Sequence, residues 1–440
     1  MQTPVYDFLK QYARQNPVRM HMPGHKGQAP VPELQPAFAM DLTEITGADS
    51  LFEASGILAE SQQHASALYH TAGTFYSCGG STLCVQTMLT LMKQEQRTII
   101  AARTVHRSFL NACLLLDLAV TWVYPNSCAD LVTGTYSIAD FAAALQQAQQ
   151  PACIYVTSPD YLGRQQDLAA LAALCRTYDA RLLVDNAHGA HLAFLPDNQH
   201  PIALGADLCC DSAHKMLPCL TGTAYLHTSR PEYAARIPDA MSLFGSTSPS
   251  YLLLLSLDLC NDYLEQHAKP DCLRTMQRAQ ALRQACTEKL VFSPSEPLHL
   301  TIDAAASGYT GFQLAGWLEQ HQVFVEYADT DFLVLLLSPV TPPEDLDKLE
   351  TLLQTIPFPK QPRQTAVCYL PHPERVCSIR KAALSPTETI PVSESLGRIC
   401  AAVKVPCPPA VPIVLSGERI DAACIKILEK YGILKINVVQ

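Results

Sequence analysis

Short apolar runs alternate with helical stretches between about residues 70 and 225 of the chain. The runs that predict β-strands are residues 98–102, 120–124, 153–157, 181–185 and 224–227. The segments between them, such as residues 137–149 and 168–178, have helical spacing and are rich in Ala, Leu and Gln. This alternation predicts an α/β fold with a mostly parallel sheet that helices cover on both faces.

The region after this sheet predicts further, smaller units. A helix over residues 270–290 leads into a small α/β unit with strands at 298–302 and 332–337, and the Pro-rich stretch 357–373 predicts a linker. We therefore expect four parts along the chain: an N-terminal arm (1–45), a large domain (46–270), a linker helix with a small α/β domain (271–360) and a C-terminal domain (361–440).

Composition and charge narrow the class of protein. Of the 440 residues 48% are apolar and 16% are charged, which is typical of a compact enzyme. The net charge of -10 argues against a nucleic-acid partner, because backbone phosphates require clustered Lys and Arg. The apolar stretches are shorter than the ~20 residues that cross a bilayer, and the N-terminal residues have no apolar signal core. We therefore expect a cytoplasmic protein.

The chain contains 17 cysteines, scattered through apolar runs and without Cys-x-x-Cys spacing. Disulfide frameworks and zinc sites use paired, regularly spaced cysteines. We interpret these residues as small buried hydrophobes in a reducing compartment, and we expect no metal site.

Polar and reactive residues stand at the ends of several predicted strands. His106, Ser158, Asp185 and His188 each end or follow such a strand. In open α/β sheets, ligands bind beyond the carboxyl ends of the strands. The sequence therefore predicts a ligand site at this edge of the sheet.

The segment Asp211-Ser212-Ala213-His214-Lys215 follows an apolar run and ends in a lysine. A lysine in an apolar pocket becomes a nucleophile toward an aldehyde, and a carboxylate such as Asp185 can pair with a protonated pyridine nitrogen. Ala187 offers a small side chain for a flat ring, and His188 is close enough in sequence for proton transfer or carboxylate contact. Alone, Lys215 also fits a solvated loop and Asp185 a capping residue, but the combination predicts pyridoxal 5'-phosphate (PLP) as cofactor.

A phosphate-bearing cofactor also needs an anion site. Gly79-Gly80-Ser81-Thr82 precedes a helix predicted over residues 83–93, and glycine-freed amides, hydroxyls and a helix N-terminus bind phosphate. Ser212 can add a hydroxyl, and His106 can stack on the pyridine ring. Each feature alone also fits an ordinary loop or a structural histidine.

With these residues the sequence resembles the bacterial ornithine/lysine/arginine decarboxylases of the aspartate-aminotransferase fold (fold type I), above all the short forms of Gram-positive bacteria. The resemblance covers most of the chain. It is carried in chain order by Arg19-Met-His-Met-Pro-Gly-His-Lys-Gly27, Asp41-Leu-Thr-Glu-Ile-Thr-Gly-Ala-Asp49, Asp185-Asn-Ala-His-Gly-Ala-His191, Ser212-Ala-His-Lys215 and Ser246-Thr-Ser-Pro-Ser-Tyr251.

The C-terminal segment also resembles that family's C-terminal domain, through Gly397-Arg398 and Pro408-Pro409 to Gly417-Glu418-Arg419. The chain departs from the family pattern at Leu83 and Cys84, directly after the Ser/Thr pair, and at Cys407-Pro-Pro-Ala410.

The resemblance implies a PLP-dependent decarboxylase of a basic amino acid, whose large domain binds the cofactor. Lys215 would carry PLP as a Schiff base and Asp185 would pair with its ring nitrogen, with His188 and His214 as further catalytic residues. His106 would stack on the ring near Ala187. The phosphate would be held by Ser81, Thr82, Ser212 and His214. Ser246 and Thr247 correspond to the family's contribution from a neighbouring subunit, which implies a homodimer with shared active sites.

The substrate is less defined than the cofactor. The distal positive group of a basic amino acid needs an acidic or aromatic partner, and Asp49, Glu53 and Glu418 are candidates that also fit surface or capping roles. Arginine, giving agmatine, is the first expectation, followed by lysine and ornithine, which give cadaverine and putrescine in polyamine biosynthesis. An aminotransferase-like PLP enzyme and a non-catalytic PLP-fold subunit stay open as alternatives.

Overall fold

The computed structural model describes residues 3–130, 133–357, 362–363, 370–402 and 411–440. The departure at Cys407-Pro-Pro-Ala410 and part of the predicted linker at 357–373 lie outside the described residues.

Strands are distributed along most of the chain. In chain order they are β1 (Gly73–Ser77), β2 (Thr98–Ala102), β3 (Val120–Val123), β4 (Ser127–Asp130), β5 (Thr133–Thr135), β6 (Ala152–Thr157), β7 (Arg181–Asp185), β8 (Leu208–Asp211), β9 (Ala224–Thr228), β10 (Val291–Phe292), β11 (His299–Asp303), β12 (Tyr327–Ala328), β13 (Phe332–Leu336), β14 (Thr387–Pro391), β15 (Cys400–Ala402) and β16 (Lys435–Val439).

Helices separate most of these strands. In chain order they are α1 (Pro4–Gln15), α2 (Gln35–Met40), α3 (Ile57–Tyr69), α4 (Gly80–Gln94), α5 (Arg107–Leu116), α6 (Ile138–Gln147), α7 (Leu168–Thr177), α8 (Ala213–Met216), α9 (Pro231–Ala234), α10 (Ile237–Ser242), α11 (Tyr251–Gln266), α12 (Ala268–Ala285), α13 (Gly311–Gln320), α14 (Pro343–Thr355), α15 (Ile379–Ala383) and α16 (Ala422–Lys430).

A seven-stranded sheet has the order β1-β9-β8-β7-β6-β2-β3. Its pairs β2/β3, β2/β6 and β7/β8 are parallel, whereas β1/β9 and β8/β9 are antiparallel. The parallel strands are buried almost throughout, as expected for a sheet with helices on both faces. The predicted α/β fold with a mostly parallel sheet is confirmed.

The observed element boundaries differ from the predicted ones in a few places. The pattern does not predict β1, and residues 206–210 show only as an apolar run where the structure has β8. The predicted helix at 83–93 begins three residues earlier, at Gly80. There the Gly80 N–H donates to the Gly222 carbonyl, and the φ of Gly80 is +63°, a conformation that glycine adopts readily. Ser81 and Thr82 therefore lie in the first turn of α4.

The chain divides into two compact units. The first comprises Met1–Leu91, Leu183–Gln277 and Ser338–Thr341; the second comprises Met92–Leu182, Arg278–Leu337 and Pro342–Gln440. The four-part division expected from the sequence stays a prediction.

In the first unit, α1, α3 and α11 pack together and α3 packs on β1. Helix α1 buries Val5 and Leu9, and α4 buries a face that includes Val85, Met88 and Leu89.

In the second unit, two smaller antiparallel sheets have their own cores. The sheet β10-β11-β13-β12 is covered by α13, and the sheet β14-β16-β15 shares an apolar cluster with α16. Nowhere in the described chain is there a helix with the length and apolar character needed to span a membrane.

Candidate active site

The carboxyl ends of β7 and β8 lie side by side in the first unit. In their parallel register Asp185 is opposite Cys210, and the Asn186 N–H donates to the Cys210 carbonyl at 2.9 Å. Asp185 ends one strand, and the segment Ser212 to Lys215 directly follows the other. The two features that the sequence singled out therefore start from neighbouring points on the same edge of the sheet.

The Asp185 side chain is 3% exposed at the end of β7. Its Oδ1 accepts hydrogen bonds from the Ala187 N–H at 3.2 Å and from the Cys210 thiol at 3.6 Å. Burial raises the pKa of Cys210 well above its ordinary value, and the negative charge of Asp185 raises it further. The thiol therefore stays protonated and acts as a donor to the carboxylate.

Lys215 and His188 are in direct contact. Lys215 lies on the short helix α8, half-buried, and its Nζ is 2.7 Å from Nε2 of His188, which is itself 5% exposed. One of these nitrogens donates and the other accepts, so the hydrogen bond provides a path for a proton between them. An amine and an imidazole are thus paired, and the imidazole belongs to the residue three positions after Asp185 in the chain.

The first turn of α4 meets the segment after β8. The Ser212 hydroxyl donates to the Ser81 hydroxyl at 2.9 Å, and Thr82 is the next, exposed residue of the same turn. The first backbone N–H groups of a helix have no partners within the helix and carry a partial positive charge. Hydroxyls and helix N-terminus together form the kind of site that binds a phosphate.

A cavity of about 190 Å³ lies beside this turn, within the first unit. Thr82 and Leu83 line it together with Cys78, Phe52 and Ser246. The structure therefore brings Ser246 to the same cavity as the predicted phosphate-binding residue Thr82.

Two more predicted residues surround this region. His214 holds the Thr223 carbonyl oxygen at 2.7 Å through its Nδ1, and Ala187 is half-buried after Asp185. Thr247 is exposed on the loop before α11. Leu83 and Cys84, where the chain departs from the family pattern, are buried in α4, and the Cys84 thiol contacts the Gly80 carbonyl at 3.7 Å.

The two candidate substrate carboxylates of the first unit have different surroundings. Asp49 is 8% exposed and accepts hydrogen bonds from backbone N–H groups at Ser55, Gly56, Leu58 and others, so it organises the entry to α3. Glu53 is exposed. Because both Asp49 oxygens are engaged by the backbone, Asp49 is a weaker candidate for a substrate contact than the sequence suggests.

The remaining predicted residues lie in the second unit. His106 caps α5, since its Nδ1 accepts from the Ser108 N–H at 3.2 Å. The Glu418 carboxylate is buried, 3.6 Å from the guanidinium of buried Arg103, and accepts from the Leu415 N–H at 2.7 Å. Glu418 is thus already paired with a cation inside its own unit.

Two protein-family models match this chain. Residues 3–305 match the family described as Orn/Lys/Arg decarboxylase, major domain, and residues 364–432 match its C-terminal domain. The chain belongs to the Orn/Lys/Arg decarboxylase family. This confirms the predicted family and the predicted enzyme class, a PLP-dependent amino-acid decarboxylase.

Several relatives of this decarboxylase are known. An arginine decarboxylase of Bacillus anthracis is 28% identical to this chain, and the match covers 98% of this chain and 93% of that protein. The lysine decarboxylase LdcA of Pseudomonas aeruginosa is 22% identical, and the match covers 64% of this chain and 42% of the length of LdcA. The crystal structure of the lysine decarboxylase LdcF of Francisella novicida has a TM-score of 0.85 at 16% identity, covering 100% of this chain and 81% of that one, and shows that the fold is shared.

One group of buried polar side chains was not singled out from the sequence of this decarboxylase. Among the described residues, three buried side chains have ligand atoms close enough together to bind one metal ion: His200, Cys209 and Asp211. The ring of His227 also forms a hydrogen bond with Asp211. The sequence signal was weak: Cys209 and Asp211 close one apolar run, but His200 stands 11 residues before Asp211 and His227 stands 16 residues after it, with no shared motif. In the structure these side chains form hydrogen bonds with one another.

Proposed function

We propose that this decarboxylase removes the α-carboxyl group of a basic amino acid, with arginine as the first choice of substrate, and that it does so with PLP held by Lys215. The observation that carries the proposal is the contact of Lys215 Nζ with His188 Nε2, in the unit that also holds the buried Asp185 and the phosphate-type site at Ser81 and Ser212. An amine, an acid and an anion site are what PLP requires of a protein.

The residues present fit the cofactor. The Ser81 and Ser212 hydroxyls meet at the N-terminus of α4 and suit the phosphate, while Thr82 is the next residue of that turn. Gly80 leaves open space here, because a Cβ at this position would have no atom within 4 Å. Asp185 suits the pyridine nitrogen. His214 and the exposed pair Ser246 and Thr247 stay proposed phosphate or cofactor contacts, with Ala187 and His106 against the ring.

The protein's own groups have distinct tasks in this mechanism. When bound, PLP supplies a ring that accepts the electron pair left on the substrate Cα as carbon dioxide departs. Asp185, buried, would keep a proton on the ring nitrogen. Lys215 Nζ, with His188 Nε2 at 2.7 Å as partner, would return a proton to Cα. Nδ1 of His214 is engaged with the Thr223 carbonyl, so Nε2 is the nitrogen of His214 that would serve in this step.

The relatives support arginine as the first substrate to test. The arginine decarboxylase of Bacillus anthracis matches over nearly the whole length of both chains, whereas the lysine decarboxylase LdcA matches over less than half of its own. Glu53 is the exposed candidate of the first unit for binding the distal cation, and Asp49 and Glu418 already have partners. A homodimer in which Ser246 and Thr247 face a second copy, and a cytoplasmic location, stay predictions.

The test is product analysis. The purified protein with PLP is incubated separately with arginine, lysine and ornithine, and both carbon dioxide and the amine are identified. We expect agmatine, and we expect Lys215→Ala to abolish turnover and the visible absorbance of the bound cofactor. Lys269→Ala, an exposed lysine at the start of α12, is the matched control and should leave both unchanged. An amine product from Lys215→Ala at the wild-type rate, or none from any substrate, would overturn the proposal.

A further inference from the structure

A buried carboxylate at the end of β8, Asp211, lies outside the proposed binding residues. It is fully buried, and its Oδ2 is 3.1 Å from Nε2 of His200 and 3.2 Å from Nε2 of His227. Burial opposes its ionisation, but the two imidazoles outweigh that effect and hold the pKa of Asp211 far below its ordinary value. Asp211 is therefore a buried anion, which is costly unless it is well supplied with donors.

The two imidazoles are oriented to act as those donors. Nδ1 of His200 accepts from the Ile202 N–H at 3.4 Å, so the proton of a neutral ring is on Nε2 and points at Asp211. Nδ1 of His227 is 2.9 Å from the Thr74 hydroxyl, which can donate to it and leave Nε2–H for Asp211. Burial lowers the pKa of His227, in keeping with a neutral ring. Both rings thus direct Nε2 at Oδ2 of Asp211 and anchor the carboxylate from one side.

Asn186 connects Asp211 to the end of β7. Its Nδ2 donates to Asp211 Oδ1 at 2.7 Å, and its backbone N–H donates to the Cys210 carbonyl at 2.9 Å. The space around it is closed, because a Cβ at Gly189 would come within 1.9 Å of Asn186 Oδ1. The carboxamide is therefore held in one orientation between the two strand ends.

This link joins the two halves of the proposed site. Asn186 directly follows Asp185, and Asp211 directly precedes the segment Ser212 to Lys215. A displacement at either strand end would change where the carboxylate and the amine stand relative to each other. We propose that Asp211 is a positioning residue that, through Asn186, fixes Asp185 relative to Lys215. The inference rests on the proposed function and adds a residue that touches neither cofactor nor substrate.

The test compares two amide replacements of buried aspartates in the first unit. Asp211→Asn removes the charge at the strand ends. Asp258→Asn, the control, removes a fully buried carboxylate on α11 that accepts from the Ser61 hydroxyl and the Tyr6 N–H. We measure kcat and KM, the PLP dissociation constant, thermal unfolding of the apo protein, and the pH midpoint of the visible band of bound PLP. Asn186→Ala carries the same test if Asp211→Asn does not fold, since it leaves the bonds of Asp211 to the histidines.

Positioning predicts a specific result. Asp211→Asn and Asn186→Ala should each lower kcat by about a hundredfold with a small change in KM, because misplacement by about 1 Å costs that much. Both should shift the pH midpoint of the band by about one unit, because the proton on the lysine–PLP nitrogen responds to the ring nitrogen that Asp185 holds. The double variant, Asp211→Asn with Asn186→Ala, should lose no more kcat than Asn186→Ala alone. Asp258→Asn should change thermal unfolding only.

Other results would overturn the inference. An unshifted band with a loss of kcat no greater than in Asp258→Asn would give Asp211 a purely structural role. Failure of the proposed function itself is distinguishable, because the wild-type protein would then show no visible band that Lys215→Ala abolishes.

Discussion

Replacing Asp185 by asparagine tests the proposed partner of the ring nitrogen most directly. The substitution keeps the shape of a side chain that is 3% exposed and removes its charge. A hydrogen bond to a charged group contributes about 1.5–3 kcal/mol. Since about 1.4 kcal/mol corresponds to a factor of ten, the dissociation constant of PLP should rise roughly ten- to a hundredfold. Turnover should fall further, because an amide does not hold a proton on the ring nitrogen.

The assay removes PLP by dialysis and follows its rebinding through the visible absorbance, alongside kcat at saturating PLP. Asp185→Glu is the matched control: it keeps the charge, so it should recover part of the affinity despite its longer side chain. If Asp185→Asn bound PLP with wild-type affinity and kept wild-type kcat, Asp185 would not be the partner of the ring nitrogen.

Three further predictions concern stability, measured by urea unfolding of the apo protein. Within α13, Gly316→Ala should stabilise the folded protein by about 1 kcal/mol, because no atom lies within 4 Å of the new Cβ. Gly311→Ala should destabilise it strongly, because the new Cβ would lie 1.9 Å from a backbone carbonyl oxygen. Equal effects would contradict this packing. Glu418→Gln leaves the buried guanidinium of Arg103 without its anion and should cost about 3 kcal/mol; a neutral result would show that the pair is not stabilising. Burial raises the pKa of Asp258 from 3.8 to about 6. Between about pH 4 and pH 6 the folded state therefore binds a proton at Asp258 that the unfolded state has lost. The free energy of unfolding should decline by about 3 kcal/mol as the pH rises across this range. Asp258→Asn should remove this decline, and an unchanged pH profile would refute the assignment.

The sheet could be predicted because its strands are buried on both faces. The predicted strands at 98–102 and 181–185 have continuous apolar centres at 99–102 and 182–184, and β2 and β7 begin and end at the predicted residues. The edge of the sheet that carries Asp185 followed from the rule that parallel strands present their carboxyl ends together. By contrast, β1 contains Gly73 and Ser77 and has no apolar run, so its place beside β9 depends on tertiary pairing.

The candidate site was predictable where its residues are neighbours in sequence and hidden where the fold brings them together. Ser212 and Lys215 stand three residues apart, so their joint role was readable. The partners of Asp211 come from a loop (His200), from β9 (His227) and from the end of β7 (Asn186), and only the sheet order makes them neighbours. No local pattern encodes such a cluster.

The buried carboxylates of this protein differ in which donors surround them, and that difference sorts their roles. Asp49 is saturated by backbone N–H groups at the entry of α3, and Glu418 is paired with a buried guanidinium, so each is fixed in place by its own surroundings. Asp211 is held by two imidazole rings and passes that constraint to Asn186. Asp185 receives one backbone N–H and one weakly donating thiol on the same oxygen. Asp185 ends β7 next to the segment that carries Lys215, so its place at the carboxyl edge of the sheet makes it the candidate among these four to hold a charged ligand group.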